Sequence, residues 1–161
     1  MPIDDLLTPA AVIPALKVNN KKQALQELSA KAAGLSGQSE RAILDVLMQR
    51  EKLGSTAVGG GVAIPHGKLP KLENLVGLFA RLARPIDFEA LDGQQVDLIF
   101  LLLAPEGAGA DHLKALARVA RLLRDPDVGR KLRDSLDAEA LFAVLTLAPA
   151  TNERRDSGQP R

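Results

Sequence analysis

His66 is one of only two histidines in the chain, and it stands in the run Gly59-Gly60-Gly61-Val62-Ala63-Ile64-Pro65-His66-Gly67-Lys68. A short apolar strand ends at a proline, an imidazole follows, and Gly67 leaves the ring uncrowded. The three glycines upstream permit tight backbone geometry and close approach by another molecule. An imidazole changes protonation near neutral pH and can serve as base, ligand or nucleophile. Several familiar sites fail on their own spacing. A phosphate-cradling loop needs glycine where Val62 stands and Ser or Thr where Leu69 stands. The dinucleotide fingerprint begun by Gly59 and Gly61 puts Ile64 in its third glycine position. Without cysteine, two distant histidines make a poor metal set. Ser55, His66 and an aspartate could be written as a triad, but no G-x-S-x-G elbow supports it.

What remains is a histidine that itself receives a group. An imidazole nitrogen attacking a phosphoryl donor in line needs positioning and neutralisation of the charge on the equatorial oxygens. Arg50, the hydroxyls of Ser55 and Thr56, and the N–H groups of the glycine run are the candidate donors. Composition does not place them; the fold must bring positions 50–56 beside 66. Each residue also has a plain structural reading. His66 would be a turn histidine, and His112 a partly buried histidine on the face of Leu116, Val119 and Leu123. Arg50 would complement a helix dipole in Arg50-Glu51-Lys52. Ser55 and Thr56 would make turn hydrogen bonds, the glycines including Gly67 would serve only the turn, and Lys68 would be solvated.

The run Arg50-Glu51-Lys52-Leu53-Gly54-Ser55-Thr56, followed by Gly59-x-Gly61-Val62-Ala63-Ile64-Pro65-His66-Gly67-Lys68, resembles the enzyme IIA domain of the fructose/mannitol class of the phosphoenolpyruvate-dependent sugar phosphotransferase system. Pro85-Ile86-x-Phe88-x-Ala90-x-Asp92-Gly93, Val96-Asp97-Leu98, Pro105 and Asp111-His112-Leu113 fit the same domain, so the likeness covers about residues 3 to 147. Within the class the chain is most similar to the free-standing nitrogen-regulatory members, with no sequence for an attached IIB or membrane IIC segment. The resemblance implies a phosphohistidine at His66, at Nε2, received from an HPr-like phosphocarrier. It implies a second histidine, His112, near the first, and an arginine, Arg50, near the phosphoryl group. It implies no cofactor and no metal. The expected protein is a phosphotransferase component, a phosphoryl acceptor and donor rather than a stand-alone turnover enzyme. Its phosphorylation state would control binding to regulatory target proteins, of the potassium-transport and metabolic-regulator kind. Two other readings stay open: a IIA that relays phosphate to a separate IIB for sugar transport, and a binding-only module that is never phosphorylated.

Composition narrows the classes. Lysine plus arginine number 21 against 20 acids, for a net charge of +1, so no strong field gathers nucleic acid or anionic membrane. With four Phe and no Trp or Tyr, the chain has no stacking platform for single strands. The absence of cysteine excludes disulfides and thiolate catalysis and fits a reducing cytoplasm. The start, Met1-Pro2-Ile3-Asp4-Asp5, is unlike a secretory signal. The longest apolar run, Leu98 to Pro105, falls short of the roughly 20 residues of a membrane helix. A cytoplasmic protein is expected.

The elements that must position this chemistry follow from periodicity. A strand is expected near Ala15–Val18. Asn20 caps a helix with Gln23 as capping-box partner, with Ala24, Leu25, Leu28 and Ala32 as its stripe and Gly34 as its end. Ser36 caps a second helix to about Arg50, with Ile43, Leu44, Val46 and Leu47 inward and Gly54 just past its end. Val62–Ile64 reads as a strand into a Pro65-His66 turn, Val76–Leu82 as a strand, and Val96–Leu103 as a central strand buried on both faces, with Asp97 at its entrance. Asp111 caps a helix to about Arg124, with Leu113, Leu116, Val119, Leu122 and Leu123 inward. Shorter helices are expected at Asp127–Leu132 and Asp137–Leu147. The pattern specifies a single-domain α/β sandwich over residues 1–148, a mixed sheet flanked by helices on both faces. A polar tail, 149–161, is expected to be disordered.

Overall fold

The protein is described from a computed structural model, which gives the backbone of residues 3–157 and the side chains of residues 3–147. Two short 3₁₀ turns (Ile3–Asp5 and Pro9–Ala11) lead into β1 (Val12–Leu16), α1 (Lys21–Ser36) and α2 (Glu40–Lys52). Four more segments build the site side of the sheet: β2 (Ala57–Gly59), β3 (Val62–Ala63), β4 (His66–Leu69) and β5 (Val76–Ile86). β6 (Val96–Pro105) is followed by α3 (Ala110–Arg124), α4 (Pro126–Asp134) and α5 (Ala138–Ser157).

The six strands form one mixed sheet in the order β1-β5-β6-β3-β2, with β4 also paired to β6. β5 and β6 run antiparallel in register Phe79↔Phe100, whereas β1 runs parallel to β5, and β3 and β4 run parallel to β6. The apolar run of β6 explains its place. Leu98 through Ala104 are all buried, and successive side chains leave a strand on opposite faces, so both faces must be covered. α1 and α2 pack on each other, with α2 over β4; α3, α4 and α5 form a second group, with α3 against β6 and α5 against β1. The core is aliphatic, with Phe79, Phe88 and Phe100 as its fully buried large rings.

The mixed sandwich is the architecture expected, and several boundaries move for physical reasons. β1 lies earlier than Ala15–Val18 and keeps Pro14 because it is an edge strand, where a missing N–H costs no ladder bond. α1 passes through Gly34 and ends at Gly37, whose φ of 75° is a left-handed cap. Ser36 therefore caps nothing ahead of it: its hydroxyl donates back to the Ala32 carbonyl, and Ser39 is the cap of α2, accepting from the Ala42 N–H. Asn20 caps α1 as expected, but Gln23 reaches the Asn19 N–H. β5 continues past Leu82 through Pro85 by shifting register between Arg81 and Ile86. α3 starts at Ala110 behind Gly109, so Asp111 sits inside its first turn and is not the cap. Leu113 points to solvent, 68% exposed, while its neighbour His112 points inward. Of the tail expected from 149 onward, 158–161 lie outside the described residues, and for 149–157 only the helical backbone of α5 is described.

Candidate functional site

β3 and β4 are one line of chain along β6 broken by a proline. Val62 pairs with Leu98 and His66 with Leu102, so the strand resumes at His66 instead of turning there. Pro65 has no N–H to give a ladder, although its carbonyl still accepts from the Leu102 N–H at 3.0 Å. That bond turns the preceding carbonyl, of Ile64, away from β6. Nδ1 of His66 lies 2.8 Å from the Ile64 oxygen. A carbonyl only accepts, so Nδ1 carries the proton and donates it. In the neutral ring the lone pair is then on Nε2. Burial lowers the His66 pKa; the Ile64 bond raises it, the Arg50 charge lowers it and Glu51 raises it, for a net fall below the ordinary imidazole value. The shift favours the neutral ring, whose lone pair then lies at one defined atom, Nε2.

His112 meets this ring edge to face, with centroids 5.7 Å apart and planes at 66°. It is carried by the first turn of α3, on the face that also buries Ala115 and Val119. Its Nε2 is buried and has no hydrogen-bond partner among the described residues. Burial first, then His66 and Lys68, hold its pKa below the usual range. A buried, unbonded imidazole nitrogen costs free energy unless something polar meets it.

The third side of the site is the end of α2. Gly67 is what lets α2 lie on β4: a Cβ built there would run into Cγ1 of Val46. The approach brings Arg50 and Glu51 within electrostatic reach of His66. Arg50 donates from Nη1 to the Gly54 carbonyl at 2.9 Å, so it shapes the turn that leads to Ser55 and Thr56. The Ser55 hydroxyl donates to the Phe88 carbonyl at 2.6 Å and accepts from the Ala57 N–H. Thr56 donates both its N–H and its hydroxyl to Glu51. The fold thus gathers His66, His112, Gly67 and Arg50. It gives the hydroxyls of Ser55 and Thr56 partners within the protein.

Sequence reasoning passed over three residues here. Glu51 and Lys21 form a largely buried ion pair at 2.9 Å, with Lys21 also reaching Glu89 at 3.0 Å. The one signal for Glu51 was its place beside Arg50, which reads equally well as an ordinary charged helix end. Arg133 grips Asp97 through two 2.8 Å bonds and the Gly60 carbonyl through a third. It thereby pins the glycine hairpin that feeds β3. Gly61 is required at that point: its φ is +82°, and a Cβ would lie 2.8 Å from the Arg133 guanidinium. Among the described residues no group of three or more His, Asp or Glu side chains converges as a metal site needs.

A mixed-sheet α/β domain that presents one oriented imidazole against a second is a histidine-centred domain. Residues 5–147 match the family model described as phosphoenolpyruvate-dependent sugar phosphotransferase system, EIIA 2. The chain belongs to that family. It is 75% identical over 151 residues to a nitrogen regulatory protein of Bradyrhizobium diazoefficiens, covering 94% of this chain and 99% of the relative. It is 42% identical to a nitrogen regulatory protein of Klebsiella oxytoca over 83% of each chain. The crystal structure of nitrogen regulatory protein IIA-Ntr from Neisseria meningitidis superposes with a TM-score of 0.85 at 35% identity, covering 89% of this chain and 99% of that one.

Proposed function

We propose that this IIA protein is a cytoplasmic phosphohistidine carrier and regulator, with His66 as the phosphoryl acceptor. The observation that carries the reading is the Nδ1–H bond to Ile64, which leaves Nε2 as the attacking atom. In the reaction the Nε2 lone pair attacks phosphorus as the nitrogen–phosphorus bond of an HPr-like donor breaks, and the donor nitrogen keeps the released electron pair. The His66 ring then carries the positive charge, spread over both nitrogens, with Nδ1–H still held by Ile64. The phosphoryl oxygens bring about two negative charges. Arg50 supplies cationic compensation, and the unbonded Nε2 of His112 is the group suited to hydrogen-bond a phosphoryl oxygen once it carries a proton. Onward transfer is the reverse at His66: a lone pair on the recipient's acceptor group attacks phosphorus as the Nε2–P bond breaks, and the bond's electron pair returns to Nε2, restoring the neutral ring.

Leu113, exposed one residue along α3 from His112, offers a docking carrier apolar surface at that end of the helix. The names of the relatives support nitrogen-type regulation, in which the charge on His66 decides which target proteins bind. Among the described residues no helix is long and apolar enough to cross a membrane, which suits a carrier that diffuses between partners. The family description also supports relay to a separate IIB in sugar transport; transfer of label to an added IIB would favour that role. The central test is labelling from phosphoenolpyruvate through the general phosphotransferase proteins. His66→Ala is expected to lose the acid-labile, base-stable label entirely. Label retained at the wild-type level would refute the assignment.

A further inference from the structure

Beyond the two histidines and Arg50, a buried carboxylate lies at the same corner. The Glu51 side chain is 6% exposed. Three donors hold it: the Thr56 N–H at 3.1 Å, the Thr56 hydroxyl, and Nζ of Lys21 at 2.9 Å. Lys21 is itself fixed from the other side, by Glu89 at 3.0 Å and by the Phe88 ring, whose centroid lies 4.9 Å away. Glu89 makes this reach from a left-handed backbone at φ 59°, an uncommon conformation for a residue with a side chain. The Phe88 carbonyl in turn receives the Ser55 hydroxyl. Engaged in this way, the Glu51 carboxylate makes no ion pair with its neighbour Arg50. Arg50 pairs with no carboxylate among the described residues and keeps free donors.

We infer that Glu51 is a positioning residue for phosphoryl transfer: locked by Thr56 and Lys21, its carboxylate holds the Arg50–Thr56 segment beside His66, and its charge keeps the bound phosphoryl group easy to pass on. The inference rests on His66 as the acceptor. A fixed negative charge near an incoming dianion raises the free energy of the phosphorylated state more than that of the free state. A carrier needs that balance, because a phosphoryl group bound too favourably is not given up. Arg50 attracts the dianion and Glu51 opposes it, so the pair sets the transfer potential between them. The same two charges act in opposite directions on the His66 imidazole.

The test uses the full chain and a phosphoenolpyruvate-charged HPr-like carrier. The equilibrium ratio of phosphorylated to free protein is read by mass spectrometry. Glu51→Gln keeps an acceptor and a donor for Thr56 but removes the charge. It is expected to shift the equilibrium about five-fold toward phosphorylated protein, the size of a partly screened charge pair. Lys21→Met leaves Glu51 and Glu89 without their cation and is expected to shift it the other way. A residue that served only as a brace would move both variants in the same direction. The charged groups near the two rings are Arg50 and Glu51 from α2 and Lys68 from β4. With these unchanged apart from the substitution, His66 is expected to titrate lower in Glu51→Gln and higher in Lys21→Met by NMR. Equal equilibrium constants in all three proteins, or shifts of one sign, overturn the inference while leaving His66 as acceptor. Absence of label on the wild-type protein overturns the acceptor reading and this inference with it.

Discussion

Gly67→Ala tests whether the contact between α2 and β4 governs both stability and chemistry. The added methyl meets Cγ1 of Val46 well inside contact distance and Cβ of Val46 at 3.4 Å, with the helix backbone behind it at 3.9 Å. Valine is stiff about χ1, so the collision cannot be relieved by swinging a flexible chain aside. α2 has to lift from the sheet. Overpacking of this kind costs about 1–3 kcal/mol, a lowering of roughly 2–10 °C in midpoint for a domain of this size. Because Arg50 and Glu51 ride on the end of α2, phosphoryl transfer to His66 should slow along with the loss of stability. Val46→Ala removes the obstructing methyl groups at its own cost of about 1–2 kcal/mol. In the double variant the penalty of Gly67→Ala should largely vanish, giving a coupling of about 1 kcal/mol or more by urea unfolding. Additive effects within about 0.5 kcal/mol, or an unperturbed Gly67→Ala protein, would refute the packing argument.

His112→Ala should leave His66 able to take label but slow transfer roughly ten-fold or more, the scale of one hydrogen bond to a charged group; rapid-quench labelling reads this directly. Burial holds both imidazoles below their unfolded pKa, so transfer should stay level as pH falls through about 6.5 and decline only at lower pH. A decline centred at or above the free imidazole value would contradict the burial. The same shifts bear on stability. Below the unfolded pKa the unfolded chain binds more protons than the native protein, so stability present at pH 7.5 is lost on acidification. The loss between pH 7.5 and 5.5, by urea unfolding, should shrink when both histidines become Gln. Asp97→Ala removes the two-bonded partner of Arg133 and loosens its hold on Gly60; for this half-exposed pair the expected cost is about 1–2 kcal/mol, checked by the same unfolding measurement.

The strand-helix alternation, the buried run of β6 and the stripes of α1 and α2 are legible in the sequence because burial leaves a period that residue types record. So is the candidate acceptor: His66 is singled out by Pro65, Gly67 and the glycine run. Helix ends were less legible. Ser36 reads as the cap of α2, but α1 runs on through it to Gly37 in the left-handed cap, and Ser39 caps α2 instead. His112 takes the inward face its plain reading gave it, whereas Leu113, expected inward, is exposed; one position turns a helix by about 100°, so the stripe through His112, Ala115 and Val119 leaves Leu113 outside. The sequence by itself determined which side chain can carry the chemistry and which scaffold bears it, since both are written in local pattern. Only the tertiary structure decided which nitrogen of His66 is free, that His112 faces it with an unbonded nitrogen, and that Glu51 is tied to Thr56 and Lys21. The first depends on how Pro65 bends the backbone beside β6, and the meetings of His66 with His112 and of Lys21 with Glu51 depend on where segments distant in sequence cross; no local period encodes either.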